Sequence, residues 1–202
     1  MYSDNLPCTN KKLPISDFVG TDGGTGDWGT FEYCPKGQFV HAYDLKTEAD
    51  QGTGDDSAVN AVRLYCMDNP ATSESGPLTN SITSDSGKWG SWGSVTYCPG
   101  AHNPFVGFNL WIDAARDGVT DATGVNKMGV MCRDGQRIQA ETSASRGDQT
   151  QDIKCQDGFA AIGIQTRVVP DQGPTADDLA LNGVRLVCAK YEVKQPGKCL
   201  CY

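Results

Sequence analysis

The sequence predicts an all-β fold of three similar units, arranged as a three-sided prism with pseudo-threefold symmetry. An internal repeat, a matching cysteine spacing and a period-two apolar pattern carry that prediction. Glycine makes up 24 of 202 residues and sustained helical periodicity is scarce, which favours short strands joined by turns. The repeat is clearest where each unit ends. Asp55-Asp56-Ser57-Ala58-Val59-Asn60 leads to Cys66, Asp121-Ala122-Thr123-Gly124-Val125-Asn126 to Cys132, and Asp177-Asp178-Leu179-Ala180-Leu181-Asn182 to Cys188. In each copy the first aspartate precedes the cysteine by 11 positions and the asparagine precedes it by 6. Such a period signals a repeated structural unit that cannot bury its apolar face alone.

Upstream, Trp28-Gly29 to Cys34-Pro35 matches Trp92-Gly93 to Cys98-Pro99, and the third copy keeps only Cys155. The economical pairing is therefore Cys34–Cys66, Cys98–Cys132 and Cys155–Cys188, each closing a loop of similar length. Each bond should contribute roughly 3 to 4 kcal/mol in the chain-entropy account. Between the paired cysteines one strand alternates through His41, Tyr43, Leu45 and Thr47. Its counterparts are Val106, Phe108, Leu110, Ile112 and Ile162, Ile164, Thr166, Val168. These sets are expected to form one buried face. The closing strands place Asn60, Asn126 and Asn182 on the core side, where a buried amide has to be hydrogen-bonded, so main-chain partners at equivalent corners are expected.

Length and composition fit a single domain over residues 1–202, with repeats at about 14–68, 78–134 and 135–190 and a tail at 191–202. The net charge of −8 disfavours nucleic acid and anionic membrane partners. Nine cysteines without CxxC spacing indicate disulfides and an oxidising, extracellular location. The first residues lack an apolar signal core, so either a signal was removed or export takes another route, and membrane insertion is not expected. No Asn-x-Ser/Thr sequon occurs, so N-glycosylation is not expected either.

The segments Gly26-Asp27-Trp28-Gly29, Leu45-Lys46-Thr47-Glu48, Gly54-Asp55-Asp56-Ser57-Ala58-Val59-Asn60 and Val62-Arg63-Leu64-Tyr65-Cys66 resemble the repeat of the vitelline membrane outer layer protein 1 family. Gly87-Lys88-Trp89-Gly90-Ser91-Trp92 resembles its second repeat, and Gly163-Ile164-Gln165-Thr166-Arg167-Val168 its third. The match runs over about residues 14 to 190. The resemblance implies a β-prism of three Greek-key sheets, secretion, and membership of the coat around eggs or other extracellular surfaces. It also implies a glycan theme, through likeness to plant-lectin prisms and a carbohydrate-transfer activity. Three features depart from the pattern: Asp121-Ala122 in the middle copy, the missing tryptophans of the third, and the tail Lys198-Cys199-Leu200-Cys201-Tyr202.

Chemistry-bearing residues are few. Asp55-Asp56 and Asp177-Asp178 could serve glycoside chemistry or calcium, but adjacent strand residues point to opposite faces, and turn roles fit them better. Asp56 and Asp178 stay as candidate ligand contacts. Trp28 and Trp92 read as packing residues beside their cysteines. Trp111 lies on the opposite face from Phe108 and Leu110, where the other copies carry Lys46 and Arg167. It is the best single candidate for contact with a glycan or partner. His41 and His102 do not suit nucleophilic catalysis and read as structural or surface residues. Arg146-Gly147-Asp148 would be an adhesion ligand only on an exposed loop. Cys8, Cys199 and Cys201 remain outside the three pairs. Cys8 with one tail cysteine would tie the chain ends, leaving one thiol free or available for coat cross-linking. No cofactor and no metal site are expected. The reading is an extracellular coat protein with glycans or glycoproteins as partners. The alternatives are a glycan-processing enzyme and a defence or adhesion module.

Overall fold

The computed structural model describes residues 18–48, 58–68, 80–113, 123–144, 146–170 and 180–191, and every regular element among them is a β-strand. The first third of the chain gives β1 (Val19–Asp22), β2 (Asp27–Trp28), β3 (Glu32–Tyr33), β4 (Gln38–Thr47) and β5 (Val59–Asp68). The second gives β6 (Asn80–Ile82), β7 (Ser91–Trp92), β8 (Thr96–Tyr97), β9 (Phe105–Asp113) and β10 (Gly124–Cys132). The third gives β11 (Arg137–Gln139), β12 (Asp148–Gln149), β13 (Ile153–Lys154), β14 (Phe159–Val168) and β15 (Leu181–Lys190). Each third thus contributes three short strands and one long antiparallel pair.

The sheets do not coincide with the sequence repeats. The long pair β4/β5 is flanked by β6 on one side and by β7 and β8 on the other, all from the next third of the chain. The pair β9/β10 is flanked by β11, β12 and β13 in the same manner. The pair β14/β15 is completed by β1, β2 and β3, which brings the start of the described chain onto its last sheet and closes the ring.

This offset changes what the disulfides do. Cys34–Cys66, Cys98–Cys132 and Cys155–Cys188 are formed. Cys34 sits beside β14, with its N–H on the Ile162 carbonyl at 2.7 Å, while Cys66 belongs to β5. Cys98 donates to the His41 carbonyl at 3.0 Å and bonds covalently to Cys132 of β10. Cys155 donates to the Val106 carbonyl at 2.9 Å and bonds to Cys188 of β15. Every bridge therefore passes from one sheet to the next, so the three sheets form a covalently closed ring.

Inside the ring, Tyr43, Leu45, Val62 and Leu64 meet Phe108, Leu110, Met128 and Val130 and also Ile164, Val184 and Leu186 in one apolar core. Full burial of each large side chain contributes about 1.5 to 3 kcal/mol, and no single sheet can supply the opposing surface. The strict alternation expected for the first strand of each pair is interrupted. Register shifts fall between Val40 and Ala42, at the equivalent place in β9, and between Ala161 and Gly163. Val40, Phe105 and Ala161 face the core instead of His41, Val106 and Ile162. Each of the latter is an inserted bulge residue whose carbonyl receives the cysteine N–H of the flanking strand. Val106 and Ile162 pack on a second cluster of Phe39, Ala160, Ala189 and Tyr191, which closes the end of the prism where the long strands begin.

A second bulge opposes it in each pair, and the inserted residues are Asn60, Asn126 and Asn182. All three are buried. Their carbonyls accept from Gly87 N–H, Thr142 Oγ1 and Gly23 N–H, respectively. The Asn60 side-chain oxygen accepts from the Trp89 N–H at 3.1 Å, and the Asn182 amide donates to the Thr25 carbonyl at 2.9 Å. Asn126 turns back to Thr123 Oγ1 and the Gly124 carbonyl. The two outward-reaching amides explain Gly23 and Gly87, since a Cβ there would sit 2.2 and 2.5 Å from the asparagine oxygens.

One phenol ties two sheets through the core. Tyr43 Oη donates to the Met128 carbonyl at 2.7 Å and accepts from the Ala140 N–H at 2.7 Å, and burial raises its pKa well above the ordinary phenol value. Replacing Tyr43 by Phe leaves a buried N–H without a partner. We expect a loss of about 1 to 3 kcal/mol in denaturant titrations, with the fold retained.

His41 is 3% exposed, its Nε2 has no partner among the described residues, and burial, assisted by repulsion from His102, lowers its pKa to about 4. The unfolded chain then binds a proton near pH 6.5 that the folded chain refuses until about pH 4. Stability is full above pH 6.5 and falls through that window by roughly 3 kcal/mol. His41→Val, which installs the residue found at the equivalent position of β9, should flatten this part of the stability–pH curve measured by urea unfolding at pH 7, 5 and 4.

Candidate functional site

The outer faces of the three sheets share one plan, and one of them departs from it. Across each long pair a polar residue faces a second position: Asp44 faces Arg63, Gln165 faces Arg185, and Asn109 faces Gly129. In the β4/β5 sheet Arg63 donates through Nε to Asp44 at 3.0 Å and closes a second contact with the other carboxylate oxygen. Asp44 is 1% exposed, so its charge is tolerated only because this fork and the Tyr65 hydroxyl satisfy it. The Arg63 guanidinium lies 4.1 Å over the Trp92 ring. In the β14/β15 sheet Arg185 donates to Gln165 Oε1 at 3.2 Å and stacks 3.6 Å over Trp28. Trp28 and Trp92 thus pack on outer-face arginines.

Next to each arginine lies a second long side chain. Lys46 donates to the carbonyls of Gly87 and Lys88 at 3.0 and 2.9 Å, and Arg167 bonds Gly26 O and Asp22, each at 2.9 Å. Both pin the turn that leads into the tryptophan strand. In that turn Gly26, Gly90 and Gly147 adopt φ of +88°, +86° and +92°, and a Cβ on any of them would press into the backbone of the facing strand at 2.5 to 2.7 Å. Gly147 is the middle of Arg146-Gly147-Asp148. That tripeptide is the turn-and-strand start that pairs with Ile112, not the crown of a loop.

The β9/β10 sheet has neither the arginine nor the tryptophan at the equivalent positions. Gly129 and Gln149 occupy their places, and Trp111 stands where the others have Lys46 and Arg167. The result is a hollow of about 170 Å³ on the outer face, lined by Asn109, Trp111, Gly129, Arg137, Gln139 and Gln149. Trp111 is half-buried. Asn109 is 2% exposed and lines the hollow. Arg137 is neutralised at the rim by Asp152, at 2.9 Å through one of two contacts. A wider groove of about 650 Å³ lies at the corner with the β4/β5 sheet, lined by Thr47, Ser94, Lys127, Gln139, Glu141 and Thr142. Gln139 borders both.

The arrangement presents an aromatic face, neutral amides and hydroxyls, which is the set that holds a polyhydroxylated ligand by stacking and hydrogen bonds. Among the described residues the two carboxylates Asp44 and Asp152 are engaged by arginines. Asp44 is locked by Arg63, and Arg137 holds Asp152 below the ordinary carboxylate range, so both act as ion-pair acceptors and not as proton donors. Among the described residues no group of three His, Cys, Asp or Glu side chains gathers to hold a metal.

Of the residues singled out from the sequence, Trp111 lies at this hollow. Asp56, Asp178, Cys8, Cys199 and Cys201 lie outside the described residues. Asn109, Lys127, Gln139 and Gln149 were not singled out. The signal available for them was the glycine at 129 in a position that holds arginine in both other copies.

Three curled antiparallel sheets that share one core and are bridged at each corner define a β-prism protein. A prostate-specific WGA16 glycoprotein lectin has this fold, with a TM-score of 0.50 and 8% identity over 84% of this chain and 94% of that one. So does a mannose binding jacalin related lectin from Ananas comosus, with a TM-score of 0.50 and 7% identity over 87% of this chain and 100% of that one. At such identities the likeness speaks for the fold. Residues 17–191 match the family described as Vitelline membrane outer layer protein I, and the chain belongs to that family. The vitelline membrane outer layer protein 1 homolog of Mus musculus is 36% identical over 171 residues, covering 83% of this chain and 80% of the relative. The homolog of Homo sapiens is 36% identical over 177 residues, covering 85% and 81%.

Proposed function

We propose that this protein is an extracellular coat protein of the vitelline membrane outer layer type that works by binding glycans, with the hollow at Trp111 as its site. The observation that carries the binding role is the broken threefold plan. Two outer faces are filled by their own arginine–tryptophan stacks, and the third leaves a half-buried indole beside the Asn109 amide at an open hollow. The hollow admits a single pyranose ring lying against Trp111, with Asn109, Gln139 and Gln149 around its hydroxyls.

The coat role is supported by family membership and by the disulfide ring, which persists in an oxidising extracellular setting. Two proteins of this fold are lectins, and the chemistry of the hollow supports the same ligand class here.

The test is a glycan array probed with the wild-type protein, Trp111→Ala, and Trp89→Ala, the last removing an indole exposed elsewhere. Binding that survives in Trp89→Ala and drops at least tenfold in Trp111→Ala is expected. An array on which the wild type binds nothing would sink the glycan reading, and equal losses in both variants would remove the hollow as its location.

A further inference from the structure

We propose that the hollow at Trp111 and the corner groove form one continuous site for an acidic oligosaccharide of at least two sugar units, with Lys127 selecting the acidic group. This rests on the glycan reading above and adds its charge and its length. Lys127 is the cross-strand partner of Trp111 on the outer face of β9/β10. Residues so paired have Cβ atoms about 5 Å apart, so a ring stacked on Trp111 brings its substituents within reach of the ammonium group. Gln139 pairs with Gly129 and lines both cavities, so a chain leaving the hollow meets Lys127 and Gln139 on its way to the groove.

The charge argument comes from how outer-face cations are used elsewhere. Lys46 holds two carbonyls, Arg63 holds Asp44, Arg167 holds Asp22 and Arg137 holds Asp152. Lys127, half-buried and lining the corner groove, has no ion pair or hydrogen bond among the described residues. A carboxylate or sulfate on the sugar beside Trp111 would supply its missing counter-charge. Glu141 lines the groove beyond Lys127 and disfavours a second acidic group there, so the unit over Lys127 carries the charge and the next unit is neutral. With a net charge of −8 the long-range field of the protein opposes an anion, and selectivity has to come from direct contact.

The experiment measures affinities for three sets of matched oligosaccharides, neutral, carboxylate-bearing and sulfated, each as the monosaccharide and as the disaccharide. The probes are wild type, Lys127→Gln, Lys127→Arg and Trp111→Ala, each first checked for native near-ultraviolet circular dichroism. We expect at least one acidic disaccharide to bind roughly tenfold tighter than its neutral match and clearly tighter than the acidic monosaccharide. The carboxylate and sulfate arms show which group is recognised. Lys127→Gln should erase the acidic preference while keeping neutral binding, Lys127→Arg should preserve it, and Trp111→Ala should abolish binding of every set. Equal wild-type affinity for neutral and acidic sugars, or a preference that persists in Lys127→Gln, overturns the assignment to Lys127 and leaves the glycan reading standing. Monosaccharides that bind as well as disaccharides overturn the continuous site. If no set binds, both readings fall.

Discussion

The structure depends on one constraint: each curled sheet has a single apolar face, and only the other two sheets can cover it. Tyr43, Phe108 and Ile164 occupy corresponding places on the three inner faces and are completely buried only together. Because short strands are contributed to the neighbouring pair, no third of the chain owns a sheet, and the apolar core, the main-chain ladders and the disulfides all couple the same three bodies. Tyr43 adds a polar link across that core, with two short hydrogen bonds to the β9/β10 side. Cooperative behaviour of the whole prism follows from this sharing more than from any individual bond.

A stable threefold frame leaves its outer surface free to diverge. The arginine–tryptophan stacks on two sheets are packed and internally satisfied, and they cover the strands with groups that ask for nothing further. On the third sheet Gly129 and Gln149 stand at the equivalent positions at no cost to the core, since both positions face away from it. The aromatic group returns on β9 as Trp111, displaced from the flanking strand to the central one. Pseudo-symmetry therefore serves as an internal control, because two copies show the filled arrangement from which the third has moved away.

Much of this was legible in the sequence, and the parts that were not share a cause. The Asp, Asn and Cys spacings define three units, and parity along β9 puts Trp111 on the face opposite Phe108 and Leu110. Parity fails at His41, Val106 and Ile162, because a bulge adds a residue that a period of two cannot register. Asn60, Asn126 and Asn182 are buried, but as inserted residues and not as members of an unbroken alternation. The exchange of short strands was invisible for a different reason, since local pattern does not say which long strand a short one pairs with. At the site, Asn109 and Gln149 belong to no motif, and neutral amides become informative only once the arginines that their counterparts serve are seen.

The position of the three bridges also governs how the molecule fares after being cut. Each bridge joins a residue ahead of a long strand pair to one on the second strand of that pair, so it spans the connection between the two strands. A single protease cleavage between β4 and β5, between β9 and β10, or between β14 and β15 divides the backbone but leaves both pieces covalently joined. Each piece also still contributes strands to a sheet that includes the other. Nicks in these places change the number of polypeptides and not the integrity of the particle.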